Sequence, residues 1–548
     1  MAVGLVSPGI EVREIDLTTI IPAVSTTEGA IAGCFRWGPV EEPILISSEV
    51  DLVKRFGAPV TNWNVETFFT AADFLSYADA LYVSRASDGD KSLITDVDPT
   101  SGATVTAIEA IYAGSMGNSI DVHVFDATGF YDATNTFAGY TNGAPEATEF
   151  HVVIVDRAGE FTGVEGGILE IHENLSSVPG TKMEDGTNKY FISAINDRSS
   201  YIRIPETVDL AMFAGYRPYS MTGGTDGSSE EAISASALQD AWTVFESSEE
   251  IDISFLLSGK ARSFISGGTA NQTDLANWLI ENIAHKRKDC IVCVSPNKEA
   301  VVDNKGSELN DISVFKTGNY PGSSTGVAQG LTPSSYLVVD TGYKYRYDRY
   351  NDTYVWVPLN GDIGGIMART DDLRDPWWSP AGYNRGVLKN VVKLAYNPKQ
   401  ADRDVLYKMG CNPVVTQIGN GTLLFGDKTG LNRPSAFDRI NVRRLFIVLE
   451  KAISQASRSF LFEFNDTFTR SQFVNAVEPY LREIQGRRGI YDFRVVCDET
   501  NNSPEVIDRN EFVGDIYIKP ARSINFIRLN FVAVRTGVEF SEIVGKAG

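Results

Sequence analysis

The chain of 548 residues is 43% apolar and 22% charged, which suffices for three or four cores at about 150 residues per domain. Its net charge of −22 argues against a nucleic-acid partner, because such binding depends on neutralising phosphates. We find no signal peptide, no run near the ~20 apolar residues of a membrane span, and five cysteines, too few for a disulfide framework. These features predict a multidomain globular protein of a reducing cytoplasm, without direct membrane insertion.

The first predicted element is a strand near the start of the chain. Ile10 and Val12 alternate with polar residues, and Ile15 and Leu17 continue the alternation shifted by one position, as in a bulged strand. A strand without a neighbour exposes unpaired backbone groups. We therefore expect residues 1–22 to form a strand arm that docks either on its own domain or on a neighbouring subunit.

A βαβ unit follows, with a strand at 27–35, a helix at 65–78 and a strand at 79–86. Helix and strand alternate again over residues 237–246, 251–258, 275–288 and 289–296. We predict an α/β middle domain built from residues 23–95 and 226–370.

The segment between these two halves has a different texture. It is rich in Thr, Gly and Asn, and it contains short β-like runs at 119–126 and 150–156. This pattern predicts a β-rich domain, residues 96–225, inserted into the α/β domain.

From residue 371 the pattern predicts an α+β domain that ends at residue 535. Residues 437–460 read as a long helix, and about 100° per residue places Arg444, Lys451 and Arg458 in a basic stripe opposite its apolar face. By default such a stripe is a solvated helix face. A second helix at 471–485 tolerates Pro479, and strands are expected at 491–497, 513–520 and 524–535, the last two as a hairpin.

The chain closes on another strand-like arm, residues 536–548. Val538 and Phe540 alternate with polar neighbours, and Val544 follows. Residues 371–548 carry 25 Lys and Arg against 21 Asp and Glu, whereas residues 1–370 carry 24 against 50. The near-neutral end is therefore the part suited to meet an acidic partner.

Three short motifs resemble catalytic or binding motifs, but the residues around each of them argue against that function. Ser324 lies in a G-x-S-x-G match at 322–326, but all four histidines precede it, at 123, 151, 172 and 285, so a polar loop is the better interpretation. The segment 421–429 almost spells a phosphate loop, with one residue too many before Lys428. Cys290 and Cys293 form C-x-x-C on an apolar strand, where they point to opposite faces. We predict no catalytic, cofactor-binding or metal-binding residues, and no enzyme.

Several stretches resemble the contractile tail sheath proteins of myoviruses. The resemblance rests on VSPGIEVREIDLTT, on IYAGSMGNSIDVHV and on the WVPLNGDIGGIMARTDD block, in which Gly364-Gly365 stand where many members have Ala-Gly. Residues 397–414, the paired helices and residues 530–545 continue the match. It spans both ends and most of the C-terminal half, and it touches the inserted segment only near its start.

The resemblance implies a C-terminal domain that is completed by strands from neighbouring subunits. The donors would be the two arms, with acceptors at 513–519 and 524–535. The fold class is thus multidomain α/β and α+β, with the β-rich insertion on the outside. The anchoring residues of the arms would be Ile10, Val12, Ile15, Leu17, Val538, Phe540 and Val544.

The resemblance also implies a function without nucleotide. The subunit would polymerise helically around a tail tube and contract to drive the tube through the host envelope, with the stripe at Arg444, Lys451 and Arg458 facing the tube. Its partners would be other copies of itself, the tube protein, and the baseplate and tail terminator proteins, in a virion assembled in the host cytoplasm. The alternative is another self-assembling surface-layer or secreted structural protein, against which the missing signal peptide counts. A serine hydrolase is a more distant possibility.

Overall fold

The computed structural model describes residues 25–97, 104–205, 214–264, 272–318 and 330–525. Within these ranges the strands are β1 (Gly29–Cys34), β2 (Ile44–Ile46), β3 (Leu81–Ala86), β4 (Lys91–Val97), β5 (Thr104–Ala113), β6 (Ile120–Asp126), β7 (Glu149–Asp156), β8 (Gly167–Ser176), β9 (Ile202–Arg203), β10 (Tyr216–Ser220), β11 (Phe255–Leu257), β12 (Ile291–Val294), β13 (Leu337–Val339), β14 (Tyr343–Asp348), β15 (Thr353–Pro358), β16 (Lys393–Leu394), β17 (Val414–Gln417), β18 (Gly421–Leu424), β19 (Ile490–Val496) and β20 (Asp515–Pro520).

The helices of the same ranges are α1 (Glu49–Phe56), α2 (Val65–Leu75), α3 (Phe191–Arg198), α4 (Ala235–Thr243), α5 (Asp274–Leu279), α6 (His285–Arg287), α7 (Glu308–Thr317), α8 (Asn360–Leu373), α9 (Gln400–Lys408), α10 (Ile440–Ser457), α11 (Thr467–Gly486) and α12 (Pro504–Asp508). A π-helical turn, Ile280–Ala284, joins α5 to α6. None of the helices in the described ranges combines the length and the apolar character that crossing a bilayer requires.

A six-stranded sheet of order β13-β12-β11-β1-β3-β2 is the centre of the α/β part. All its strands run parallel except β2, which pairs antiparallel with β3. β1 lies beside β3 over six residue pairs, and the chain between them contains β2, α1 and α2. The predicted βαβ unit is therefore confirmed. Parallel sheets are covered on both faces, which explains why β1, β11, β12 and β13 read as continuous apolar runs.

Helices cover the two faces of this sheet. On one face, Trp242 of α4 and Ile312 of α7 pack with Ala30 of β1. On the other face, Phe74 of α2 packs with Ile31, the next residue of β1. Successive side chains of a strand point to opposite faces, so β1 contributes to both cores.

Glycines let α8 approach its neighbours closely. A Cβ at Gly361 would lie 2.3 Å from the carbonyl oxygen of Thr70 in α2, and one at Gly364 would lie 2.5 Å from a methyl group of Leu257. The NGDIGG segment therefore belongs to a helix that packs backbone against backbone, and this accounts physically for the small residues of that block.

A buried ionic network joins α2, α8 and β14. The ammonium group of Lys344 lies 2.9 Å from a carboxylate oxygen of Asp73 and 2.8 Å from one of Asp362. Arg346 also pairs with Asp73, and the hydroxyl of Tyr77 donates to Asp362 over 2.9 Å. Lys344 and Asp362 have no solvent exposure, so each ion depends on the others for solvation.

Residues 91–220 build two antiparallel sheets, β4-β5-β9 and β10-β6-β7-β8. Their apolar side chains form a cluster of their own, with Ile120, Val122 and Val124 of β6 against Phe150 and Ile154 of β7. β6 and β7 confirm the strands expected at 119–126 and 150–156.

The C-terminal part consists of α10, α11 and a two-stranded sheet. Leu445 of α10, Val477 and Leu481 of α11, and Ile490 of β19 share one apolar cluster. β20 pairs antiparallel with β19, with Phe493 opposite Ile518. The hairpin that we expected between β20 and residues 524–535 cannot be compared, because residues 526–548 lie outside the described ranges.

Candidate functional site

The sheet of β19 and β20 is the clearest candidate for an assembly site. In the described ranges each strand pairs only with the other, so each presents an outer edge of backbone N–H and C=O groups. Phe493 and Ile518 pack inward, whereas Tyr517 on the opposite face is 60% exposed. The sheet is stabilised on one face by its packing on α10 and α11, and further strands at its edges would extend that packed face. Unpaired strand edges of this kind are able to accept an added strand.

Helix α10 supports this sheet and is buried on two sides. Leu445 and Leu449 point toward α11, while Ile440 and Ile447 pack into the core beneath the central sheet. The sequence pattern predicted only one apolar face. The second is supplied by the packing of the C-terminal part against the α/β part, which helical periodicity in one segment does not report.

Because α10 is buried on two sides, one of the three cations of the predicted basic stripe is not exposed to solvent. Arg444 is 5% exposed; it forms an ion pair with Asp371 of α8 and donates to the carbonyl oxygen of Met367 over 3.2 Å. Its guanidinium also lies 4.7 Å from the ring centre of Phe255. The expectation of three exposed cations on one face is thus wrong at Arg444, because this charge anchors α10 to the α/β part.

The other two cations of the stripe are nearer the solvent. Lys451 pairs with Asp252 and donates to the carbonyl oxygen of Ser25 over 3.2 Å. Arg458 follows the last residue of α10 and is exposed. Contact of these side chains with a tube stays a prediction.

The predicted arm residues fall outside the described ranges. This applies to Ile10, Val12, Ile15 and Leu17 of the first arm, to Val538, Phe540 and Val544 of the second, and to Ser324 with its flanking glycines.

Cys290 and Cys293 lie in two different cores. Cys290 packs on the face of the central sheet that carries α4 and α7, and Cys293 packs on the face that carries α2 and α8. The opposite orientation predicted from strand periodicity is confirmed. Burial raises the pKa of both thiols, which disfavours the thiolate needed for redox or metal chemistry.

The near-phosphate-loop segment is part of a hairpin and the turn after it. Residues 421–424 form β18, which pairs with β17, and the Lys428 ammonium lies 4.6 Å from the ring centre of Tyr407. The backbone N–H of Lys428 donates to the side chain of Asn412 over 2.7 Å, so it is not presented to an anion. Across the described ranges, no group of three or more His, Cys, Asp or Glu side chains is placed to hold a metal ion.

A groove beside the sheet was not predicted from the sequence. It has a volume of about 1150 Å³, and its lining includes Trp377, Trp378, Tyr407, Phe425 and Ile490. The adjacent tryptophans of the DPWWSP segment were the available signal, but nothing in the pattern showed which elements would face them.

Three family models match consecutive parts of the chain. Residues 29–86 match the Gp18 domain III N-terminal region of tail sheath proteins, residues 252–430 match the phage tail sheath protein central domain, and residues 432–533 match the phage tail sheath C-terminal domain. The interval from 87 to 251, which contains the two antiparallel sheets, falls between these matches.

Full-length relatives and solved structures agree with these models. The tail sheath protein of Vibrio phage KVP40 is 33% identical over 99% of this chain and 100% of its own, and that of Enterobacteria phage T4 is 31% identical with the same coverage. The sheath tail protein Lin1278 of Listeria innocua superposes with a TM-score of 0.55 at 13% identity, over 91% of this chain and 96% of its own. The contracted helical sheath of the anti-feeding prophage gives 0.51 at 13% identity, over 97% and 99%. The chain therefore belongs to the phage tail sheath protein family.

Proposed function

We propose that this contractile sheath subunit joins its neighbours by strand exchange at the sheet of β19 and β20. Residues 1–22 and 536–548 of neighbouring copies would add to the outer edges of this sheet. The observation that carries the proposal is the two-stranded sheet itself, which in the described ranges has both outer edges unpaired. The two arms have the alternating apolar residues of strands, and they are therefore suited to pair with these edges.

Strand addition suits an assembly that must move without dissolving. Backbone hydrogen bonds hold the added strand, at about 1 kcal/mol net for each bond, and a few apolar anchors set its register. The links between arm and body act as hinges. Head-to-tail contacts of this kind do not close on themselves and therefore build a helical tube.

The proposal also assigns the domains to the outside and the inside of the sheath. An α/β domain of residues 23–95 and 226–370 would carry the β-rich residues 96–225 as an outer insertion, and residues 371–535 would form the inner polymerisation domain. The separate apolar cluster of the β-rich sheets supports this division. The contrast between an acidic residue range 1–370 and a nearly neutral 371–548 supports the outward and inward assignment.

The extended sheath would be a metastable assembly on a tail tube, with contraction releasing energy stored at assembly and consuming no nucleotide. The exposed Arg458, together with Lys451, would face the tube. Baseplate and tail terminator proteins would cap the two ends, and assembly would take place in the host cytoplasm. Other self-assembling surface-layer or secreted proteins are not favoured, since the full-length relatives are tail sheath proteins.

Deletion of residues 1–20 tests strand exchange. The shortened chain should keep the melting temperature of the wild-type monomer but form no tubes or rings by negative-stain microscopy. In the full-length chain, Ile10→Asp with Val12→Asp should have the same effect, because the alternation predicts both positions on the apolar side of the strand. The matched control, Glu11→Ala with Arg13→Ala, changes the polar face and should assemble normally. Unfolding of the shortened chain would show instead that the arm docks on its own domain.

A further inference from the structure

The groove beside β19 receives the chain as it leaves β20. After Pro520, the backbone N–H of Ala521 donates to the carbonyl oxygen of Gly489 over 3.0 Å, which continues the pairing with β19 past the first residue of that strand. All residues from 521 to 525 then line the groove. The last described residue, Asn525, is therefore part of the groove wall, and 23 residues follow it.

Polar contacts fix this entry at one wall. The hydroxyl of Ser523 donates to a carboxylate oxygen of Asp427 over 2.7 Å, and the side-chain amide of Asn525 donates to the hydroxyl of Tyr407 over 2.6 Å. Arg439 pairs with Asp427 over 2.8 Å, and these contacts lower the pKa of that carboxyl despite its burial. The carboxylate thus remains an acceptor that holds the chain in place.

The next residues have the pattern of a half-buried strand. Ile527, Leu529, Phe531 and Ala533 alternate with residues of mixed polarity, so an extended chain places all four on one side. The groove offers apolar surface from Trp377, Trp378, Phe425 and Ile490. Of these four side chains, Phe425 is 40% exposed and Trp378 is half-buried, so a chain seated in the groove would cover apolar surface that is otherwise open to water.

We propose that the groove holds residues 526–535 of the same chain, so that only residues 536–548 leave the subunit as an exchanged arm. Because no residue separates the anchored Asn525 from this segment, its effective concentration at the groove exceeds that of any neighbouring copy. This inference goes beyond strand exchange, for it says where the C-terminal arm begins. The body of the subunit would end at Arg535, and Thr536-Gly537 would be the hinge.

Two truncations of the full chain test the proposal at concentrations where the protein is monomeric. A chain ending at residue 535 should retain the wild-type melting temperature and slow hydrogen exchange in peptides that contain Trp377, Trp378 and Phe425. A chain ending at residue 525 should lose that protection and melt at a lower temperature, and a synthetic peptide of residues 526–535 should restore both.

Point variants cover the case in which the shorter truncation fails to fold. In the full-length chain, Leu529→Asp with Phe531→Asp should speed exchange in the groove peptides, whereas Asn530→Asp, which an extended chain would place on the opposite side, should leave it unchanged. Equal protection in all variants would overturn the proposal, and so would protection that disappears on dilution, which would identify a second copy as the occupant. Because these measurements use monomer, failure of polymerisation does not affect them, and the two proposals fail separately.

Discussion

Among single residues, Arg444 shows how a charge can be structural. It and Asp371 are both almost fully buried, and the ion pair joins α10 to α8. Removing one member of a buried pair leaves the other charge unsolvated, which costs about 3–5 kcal/mol. We therefore expect Arg444→Ala to lower the free energy of unfolding in urea by that amount, while Arg458→Ala, at an exposed position, changes it by less than about 0.5 kcal/mol.

A double variant separates the contribution of the ion pair from that of side-chain packing at Arg444. Arg444→Met with Asp371→Asn removes both charges and keeps most of the volume, so it should recover most of the stability lost in Arg444→Ala. A double variant as unstable as Arg444→Ala would show that the contacts of the guanidinium with Met367 and Phe255, rather than the ion pair, hold the helix.

Asp340 gives stability a dependence on pH. It is buried after β13, where the Ser295 hydroxyl donates to it over 2.7 Å and the Gly342 N–H over 2.9 Å. Burial raises the pKa of Asp340 to about 8. The folded chain therefore keeps a proton that the unfolded chain releases near pH 4, and stability falls as the pH rises from about 4 to 8, by up to ~1.4 kcal/mol per unit.

Asp340→Asn cannot lose this proton. Urea unfolding between pH 5 and 9 should show a shallower loss of stability than in wild type, with the variant gaining most above pH 8. The exposed Asp240→Asn serves as control and should follow wild type. Burial also raises the pKa of Glu230 to about 7 and of Asp362 to about 6, so part of the slope should remain in the variant. Parallel curves for Asp340→Asn and wild type would contradict the assignment.

At the scale of the elements, the contact of α8 with α2 and the central sheet depends on glycine. A methyl group at Gly364 would stand 2.5 Å from Leu257, inside a core without space to spare. We expect Gly364→Ala to lower the melting temperature and to cost about 1–3 kcal/mol, as overpacking does. Gly486, the last residue of α11, has open space where a Cβ would point. Gly486→Ala should therefore be neutral or stabilising. If the Gly364→Ala variant had the same melting temperature as the Gly486→Ala variant, the core would have adapted to the added methyl group.

The elements also show what the sequence can and cannot predict. The strands β1 and β12 were predictable because their residues form unbroken apolar runs, β3 because it begins with three apolar residues, and α10 because its period is strong. The short β2 and the polar α1 carry too little pattern and were missed. The ionic network at Lys344 was equally hidden, because among 71 acidic residues nothing in the sequence marks Asp73 and Asp362 as partners before the fold brings them together.

At the scale of the whole molecule, the C-terminal part differs from the rest in charge. Residues 371–548 are nearly neutral, while residues 1–370 carry 50 acidic against 24 basic side chains. An acidic tube would repel residues 1–370 and tolerate residues 371–548. Under the proposed arrangement, the exposed cations of residues 371–548 would therefore decide how firmly sheath and tube attach. Because Arg444 is buried, Arg458 is the member of the predicted stripe on which a tube contact can be tested without unfolding the chain.

Reversal of this charge should weaken attachment and leave the fold intact. Sheath assembled from Arg458→Glu subunits should release its tube at a lower salt concentration than wild-type sheath does. The variant has less electrostatic attraction to lose, and salt at 0.1 M screens exposed charges beyond about 10 Å. Arg482→Glu makes the same charge change at a side chain that is 69% exposed on α11, and it should retain the tube as wild type does. The measurement is the fraction of tubes that sediment with sheath across a salt series. Equal retention by Arg458→Glu and wild type at every salt concentration would remove Arg458 from the tube contact, whereas equal loss in both variants would mean that attachment follows net charge rather than this face of the molecule.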